Sequence, residues 1–419
     1  MRLARLPRSL RILVQCLLIS TSFFVVFKTA LHGRPDKETK TPLRPQIPAH
    51  LTVLFGIKAL KLVALDPIIL KCVTKGRCAF LTASESIHIG TKLKDTEELK
   101  TIFQDNFKDP SWKIKIFSLH TAVVTKHYWQ GFNRIMVISV IVENPKLHYW
   151  KVAKEEAVGI EERAFDRFNT TELLGLKVPS NIPRFQLWWN NGHFVACNGT
   201  LAKNFISNSS IIQEIHIQNL KIFTDMLLDS NQIPTLSYGT LLGWYRNCGV
   251  IPYTTDIDIS VHISEYNRTF TEALKPRQDY RLLRYIGKEE HGLELTVKIP
   301  GKPRNSRVDV FYLFPYNATY DWASGTYSKS SRGWAKFRFL VPRFYNKPLC
   351  TGDIFGYLFF VPCNFEKAFE AAYGKDNWRT PKKKYNNLAS GQLAIRDGFW
   401  NKNMDNVLAK FNFTYADYE

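Results

Sequence analysis

Apolar and polar residues alternate most regularly in the second half of the chain. Ile257, Ile259, Val261 and Ile263 fall at every second position, and so do Leu293, Leu295, Val297 and Ile299. Successive side chains of a strand point to opposite faces, so each run predicts a strand with one buried face. Val308–Phe314 is apolar or aromatic on both faces except at Asp309, the pattern of a central strand. Helical spacing is carried by Ile211, Ile212, Ile215, Leu220, Phe223, Met226 and Leu227. Ser210 with Gln213 resembles a capping box for that helix, which should end near Asp229. A short helix is expected after Gly239-Thr240, through Leu241, Leu242 and Tyr245. Asn364 and Gly374 bracket another, through Phe365, Ala368, Phe369 and Ala372.

The first half mixes short apolar runs, Leu51–Leu65 and Ile135–Val142, with charged stretches. It reads as an α/β region over 51–202 with no motif that carries chemistry. The expected fold class is α/β with a mixed sheet, and a second domain over 208–419 holds the candidate chemistry. At the N-terminus an apolar run from Ile12 to Phe27 follows Arg2, Arg5, Arg8 and Arg11 and is closed by Lys28. That pattern predicts a cytoplasmic tail over 1–11 and a transmembrane signal-anchor over 12–27. Pro35, Pro42, Pro45 and Pro48 make 28–50 a stem. A cleaved signal peptide is the competing reading, against which Thr29-Ala30 is a poor cleavage match. Either way the remainder is expected in the secretory lumen, as a single-pass type II protein of the Golgi or ER membrane.

Composition changes this picture only where it meets location. Asn169, Asn198, Asn208, Asn267, Asn317 and Asn412 each begin an Asn-X-Ser/Thr sequon, as a glycosylated lumenal chain would. Cys72, Cys78, Cys197, Cys248, Cys350 and Cys363 form an even set outside the apolar run, suited to disulfides. The close pairs Cys72/Cys78 and Cys350/Cys363 suggest local bridges, although six cysteines allow fifteen pairings. In such a compartment the net charge of +20 excludes nucleic acid as partner and leaves nucleotide diphosphates and phosphorylated glycans. Much of the charge is ordinary solvated surface.

Three carboxylates carry the candidate chemistry. Asp256 and Asp258 stand two apart at the head of a strand, so both project from one face while Ile257 points into the core. Asp309 lies inside a strand expected to be buried, where a lone carboxylate is costly unless paired or bound to a metal. Three such groups on neighbouring strands supply the hard oxygen donors that Mg²⁺ or Mn²⁺ prefers. Upstream, Gly239-Thr240 sits at a strand-to-helix turn where backbone N–H groups can approach a phosphate, and Arg246 follows one helix later. Each element alone has a plainer reading as a turn, a cap or a surface ion pair. Their order is what makes the set specific.

That order resembles a known family. Leu236-Ser-Tyr-Gly-Thr-Leu-Leu-Gly-Trp-Tyr-Arg246 through Ile251-Pro-Tyr-Thr-Thr-Asp256-Ile-Asp258 is similar to the signature of the LicD branch of the nucleotidyltransferase superfamily, in its fukutin-like part. Leu293-Glu-Leu, Val308-Asp-Val-Phe311, Val361-Pro-Cys363 and Tyr373-Gly-Lys add to the likeness. The resemblance implies transfer of an alditol phosphate, ribitol 5-phosphate, from a CDP-activated donor to an O-mannosyl glycan of dystroglycan type. It implies that Asp256, Asp258 and Asp309 hold the metal and that Gly239, Thr240 and Arg246 line the donor site. Many members carry a further acid where this chain has Thr255. Lys329, Lys336, Arg338 and Arg343 are candidates to meet a phosphorylated acceptor, or else form a solvated basic loop. A nucleotide-sugar glycosyltransferase is the nearest rival reading. A non-catalytic partner in a complex with other glycan transferases is the second.

Overall fold

The computed structural model of the chain describes residues 47–76, 87–127, 135–144, 147–152, 154, 156, 161–203, 210–302, 304–330, 333–344, 347–381, 393–400 and 408–410. Residues 47–419 form one compact unit, so the boundary expected between 202 and 208 falls inside it. Its first part holds a five-stranded sheet in the order Leu62–Ala64, Ile87–Thr91, Ile135–Val142, Thr121–His127, Trp112–Ser118. Its three helices sit before and between these strands, at Ala49–Gly56, Pro67–Lys75 and Thr96–Asn106. Asp66 caps the second through the Ile68 N–H, as the Asp-Pro pair favours.

From Glu214 onward the elements are α1 (Glu214–Asp229), β1 (Thr235–Leu236), α2 (Tyr238–Asn247), β2 (Asp256–His262), β3 (Leu282–Lys288), β4 (Gly292–Ile299), β5 (Ser306–Pro315), β6 (Tyr320–Ser330), β7 (Gly333–Pro342), β8 (Cys350–Ile354), β9 (Tyr357–Val361), α3 (Phe365–Tyr373) and β10 (Ala394–Phe399), with a further helix at Arg268–Leu274 and a strand at Leu408–Lys410 paired to β3. They build a fourteen-stranded sheet whose main path runs β10, β7, β6, β5, β2, β1, β9, β8 and then His193–Phe194, Arg163–Asp166 and Tyr149–Val152. β3 and β4 branch off through the pairing of β4 with β5. The fold is thus mixed α/β, and strands from the first half continue the sheet of the second.

Alternation decides the faces. Ile257, Ile259 and Val261 of β2, Leu295, Val297 and Ile299 of β4, and Val308, Val310 and Tyr312 of β5 are all buried in one hydrophobic core. The intervening residues face the other way. β9 is divided between two cores: Leu358 and Phe360 join the one around the first half, while Phe359 and Val361 join that of the second. Trp188 stacks on Phe360 with ring centroids 4.0 Å apart.

Several expectations change. α1 begins at Glu214, and its capping box is Gln213 with His216 rather than Ser210 with Gln213. Ile211 and Ile212 therefore precede the helix, and Ile215 faces solvent. α3 follows Asn364 as expected and stops at Gly374, whose positive φ of 84° favours glycine. The membrane architecture is corrected. Among the described residues no helix is long and apolar enough to cross a membrane. The longest of them, α1, has 16 residues and carries Glu214, Lys221, Asp225 and Asp229, whereas a span needs about 20 apolar ones. The tail, anchor and most of the stem, 1–46, lie outside the described residues, and the Golgi or ER membrane placement built on the anchor is withdrawn with it.

Two disulfides are described, Cys197–Cys248 and Cys350–Cys363. The second is the local pair that spacing suggested. Cys72 is also disulfide-bonded, with its partner outside the described residues.

Candidate active site

β2 and β5 lie parallel and adjacent, with Asp256 opposite Arg307 and Asp258 opposite Asp309. β4 runs antiparallel on the other side of β5, placing Thr296 opposite Asp309 and Glu294 opposite Phe311. The three aspartates, on two adjacent strands, therefore share one face with a fourth carboxylate, Glu294, on the next strand. They lie over the core built from the alternate residues.

Each carboxylate is held differently. Asp256 accepts from Arg307 Nη2 at 2.8 Å and from Thr254 Oγ1 at 3.1 Å. Asp258 Oδ2 accepts the Gly239 N–H at 3.1 Å, and the Asp258 N–H is bonded to Thr240 Oγ1 at 2.7 Å. Asp309 Oδ1 accepts from Thr296 Oγ1 at 2.5 Å, and Thr296 Oγ1 accepts in turn from Arg284 Nε at 2.9 Å. Glu294 faces Arg284 at 3.4 Å.

Gly239-Thr240 thus grips the acidic strand. Tyr238 opens α2 at a positive φ of 41°, and a Cβ on Gly239 would stand 3.3 Å from Asp258 Oδ2. A larger side chain there would press on the carboxylate. Helix α2 is seated by Trp244, whose ring lies where a Cβ on Gly352 would come within 2.3 Å.

Burial and mutual repulsion raise the affinity of this cluster for protons. Burial first, then Asp256 and Asp309, push the Asp258 carboxyl well above the usual range, against the opposing Gly239 N–H. Burial also raises Asp309, offset by Arg284, by the Thr296 bond and by Arg307. Glu294 is pushed up to about 8, by burial and then by Asp309. A cation would relieve all three.

The donor set fits a hard divalent ion in kind, since every candidate ligand is a carboxylate oxygen. It is not closed around one. Among the described residues, no group of three or more His, Cys, Asp or Glu side chains is set to hold a metal. Asp256 is instead turned onto Arg307, and Asp309 onto Thr296.

Two cavities open at the cluster and share Gly239, Asp256 and Tyr373. One, of about 290 Å³, is lined by Arg246, Tyr253, Thr254, Thr255, Asn377 and Trp378 among others. Arg246 is buried in its wall, donating to the Trp378 carbonyl at 2.9 Å and to Asn247 Oδ1 at 3.1 Å. Burial lowers the pKa of its guanidinium. The other, of about 420 Å³, is lined by Asp258, Asp309, Glu294, Phe311, Ser324, Thr326 and Phe339 among others.

Asp256, Asp258, Asp309 and Gly239 therefore meet at one place, with Thr240 bonded behind, while Arg246 lines the adjoining cavity that shares Gly239 and Asp256. The basic residues downstream do not join them. Lys336 and Arg338 pair with Asp397, each at 2.9 Å, and Arg343 pairs with Asp321 at 2.8 Å. The Lys329 side chain lies outside the described set. Sequence reasoning missed Glu294, Thr296, Arg307 and Arg284 as site residues. The first three were readable from alternation, because Glu294 and Thr296 interrupt the buried run of β4 and Arg307 stands two before Asp309.

Of the sequon asparagines, Asn169 and Asn317 are exposed. Asn198 and Asn267 use their side chains as caps, accepting the Leu201 and Phe270 N–H groups at 3.0 Å. Asn208 and Asn412 lie outside the described residues.

Residues 234–364 match the family described as LicD/FKTN/FKRP, nucleotidyltransferase domain. That range contains the three aspartates, Glu294, Gly239, Thr240, Arg246 and Arg307. Among similar proteins, an uncharacterized protein of Caenorhabditis elegans is 26% identical over 340 residues, 78% of this chain and 85% of that protein. The ribitol-5-phosphate transferase FKTN of Mus musculus is 29% identical over 253 residues, 57% of this chain and 51% of that enzyme. The ribitol-5-phosphate transferase FKTN of Homo sapiens is 33% identical over 165 residues, 39% of this chain and 33% of that enzyme. The chain spans about half of the mouse transferase and a third of the human one.

Proposed function

We propose, for a chain whose residues 234–364 are a nucleotidyltransferase domain of the LicD family and similar to its fukutin-like branch, that it transfers ribitol 5-phosphate from a CDP-activated donor to a hydroxyl of an O-mannosyl protein glycan. The observation that carries the reading is the register that sets Asp258 beside Asp309, with Asp256 next along the face, at the junction of two cavities. In this reading the cavity lined by Arg246, Tyr373 and Trp378 takes the nucleotide. The larger, acidic cavity takes the alditol and the acceptor hydroxyl.

The acceptor hydroxyl attacks the phosphorus that bears the ribitol, in line with the leaving oxygen. A new oxygen–phosphorus bond forms as the bond to the bridging diphosphate oxygen breaks, and CMP departs with the electron pair. The hydroxyl proton passes to a carboxylate lining the larger cavity. Glu294, whose affinity for a proton is raised by burial, is one such carboxylate. Mg²⁺ or Mn²⁺, held by Asp256, Asp258 and Asp309, would neutralise the phosphates and the leaving group. Gly239 and Thr240 keep Asp258 aimed at the junction, while Arg246 fixes the wall against which the nucleotide rests.

A thermal-shift comparison of CDP-ribitol, CDP-choline and UDP-sugars, with and without Mn²⁺, tests this beside Asp258→Asn. At 100 times its Kd the true donor stabilises the fold by about 2.7 kcal/mol. The reading expects a Mn²⁺-dependent shift with CDP-ribitol that the variant loses. A shift confined to UDP-sugars would replace it with a glycosyltransferase, and no shift at all with a non-catalytic partner.

A further inference from the structure

We propose that Arg307 is a built-in countercation of the aspartate cluster, so that the divalent ion enters together with the donor diphosphate rather than residing in the site beforehand. The inference rests on the donor-site reading above and adds an order of loading to it.

Both carboxylate oxygens of Asp256 are engaged, one by Arg307 at 2.8 Å and one by Thr254 at 3.1 Å. One oxygen of Asp258 accepts from Gly239, and one of Asp309 from Thr296. The Arg307 guanidinium also reaches toward the remaining Asp309 oxygen, with Nε at 4.0 Å. A single cation of the protein's own thus spans two of the three candidate ligands.

The same pair is built to be exchanged. The Arg307 and Asp256 side chains are 29% and 30% exposed, whereas Asp309 is 9% exposed. An ion pair that still meets water at both ends is held less firmly than a buried one. A bare metal ion arriving here must displace the guanidinium and still find enough ligands, and its gain is small. An ion already chelated by a diphosphate brings phosphate oxygens of its own and needs fewer from the protein. Its phosphates also offer the released guanidinium a new anionic partner, in the bidentate geometry that arginine prefers. Arg284 serves Thr296 and Glu294 instead. Metal and nucleotide should therefore tighten each other's binding by the same factor.

Free Mn²⁺ measured by electron paramagnetic resonance, with and without saturating CDP, tests this on the wild-type chain, Arg307→Gln and Arg307→Lys. Wild type should bind Mn²⁺ weakly alone and about tenfold more tightly with CDP. Arg307→Gln should bind Mn²⁺ alone about fivefold more tightly than wild type, with the effect of CDP diminished. Arg307→Lys, which keeps the charge but not the fork, should bind Mn²⁺ alone as weakly as wild type and lose part of the enhancement by CDP. Structural damage would loosen the metal, so a tightening separates release of a competing charge from misfolding. The proposal is overturned if Arg307→Gln binds Mn²⁺ no more tightly than wild type, or if CDP enhances binding equally in both. If folded wild type takes up no Mn²⁺ even with CDP, the metal-bridged donor site itself fails, and this inference with it.

Discussion

The hydroxyl of Thr240 accepts the backbone N–H of Asp258 at 2.7 Å, joining the first turn of α2 to the second carboxylate residue of β2. Thr240 is only 4% exposed, so nothing else can satisfy that N–H if the hydroxyl goes. Thr240→Val should cost about 1–3 kcal/mol in urea unfolding, whereas Thr240→Ser should remain near wild type. Donor turnover should fall in the valine variant beyond what its folded fraction explains, because Asp258 loses one of its two ties.

Glu294 predicts a pH dependence in metal-free buffer. Its carboxyl is raised to about 8 in the folded chain from an ordinary 4.5, so the native state holds the proton more tightly than the unfolded one. That contribution is full below 4.5 and is lost as pH rises through 8. Glu294→Gln should flatten the decline, and it should be more stable than wild type at pH 8.5 in chelator. Mn²⁺ with nucleotide should erase the difference in wild type by supplying the charge that the cluster lacks.

His262 acts in the opposite direction. Burial, aided by Arg343, lowers it to about 4 from 6.5. Its Nδ1 accepts the Ser264 N–H at 3.2 Å and lies 2.7 Å from the Ser264 hydroxyl. The folded state disfavours the proton, so stability is intact above 6.5 and is lost as pH falls through 4, by up to about 3 kcal/mol. His262→Asn keeps an acceptor for the cap and should remove most of this acid sensitivity in a pH series of melts.

The two described disulfides should differ in worth. Cys197–Cys248 encloses 51 residues and Cys350–Cys363 encloses 13. On the chain-entropy account these amount to about 4 and about 3 kcal/mol. Cys197→Ser with Cys248→Ser should lower the melting temperature more than the other paired replacement. It should also weaken nucleotide binding, since Cys248 ends the helix that carries Arg246.

Much of the site was legible because alternation is a local property. Asp256, Asp258 and Asp309 could be placed on a face from their own neighbours, and Val308–Phe314 is the central strand its two apolar faces suggested. What sequence could not supply is which strand lies beside which. The contact of Arg284 with Thr296 and Glu294 depends on β3 pairing with β4, and Arg307 reaches Asp256 only because β2 and β5 run parallel in one register. The pairing of Lys336 and Arg338 with Asp397, and of Arg343 with Asp321, is set by the same cross-strand geometry. The bonds of Gly239 and Thr240 to Asp258 likewise depend on where the helix meets the strand, which the local sequence does not state.

The divided strand β9 has a consequence for which changes the chain can tolerate. Its five residues act as a ruler between two interiors, with even-numbered side chains measured into one and odd-numbered into the other. Substituting one apolar residue for another alters a single mark on that ruler. Adding or removing one residue inverts every mark at once, exchanging Leu358 and Phe360 with Phe359 and Val361 and emptying both interiors of their fitted partners. β9 should therefore accept variation in content but none in length, and through it the first half of the chain keeps step with the half that carries the aspartates.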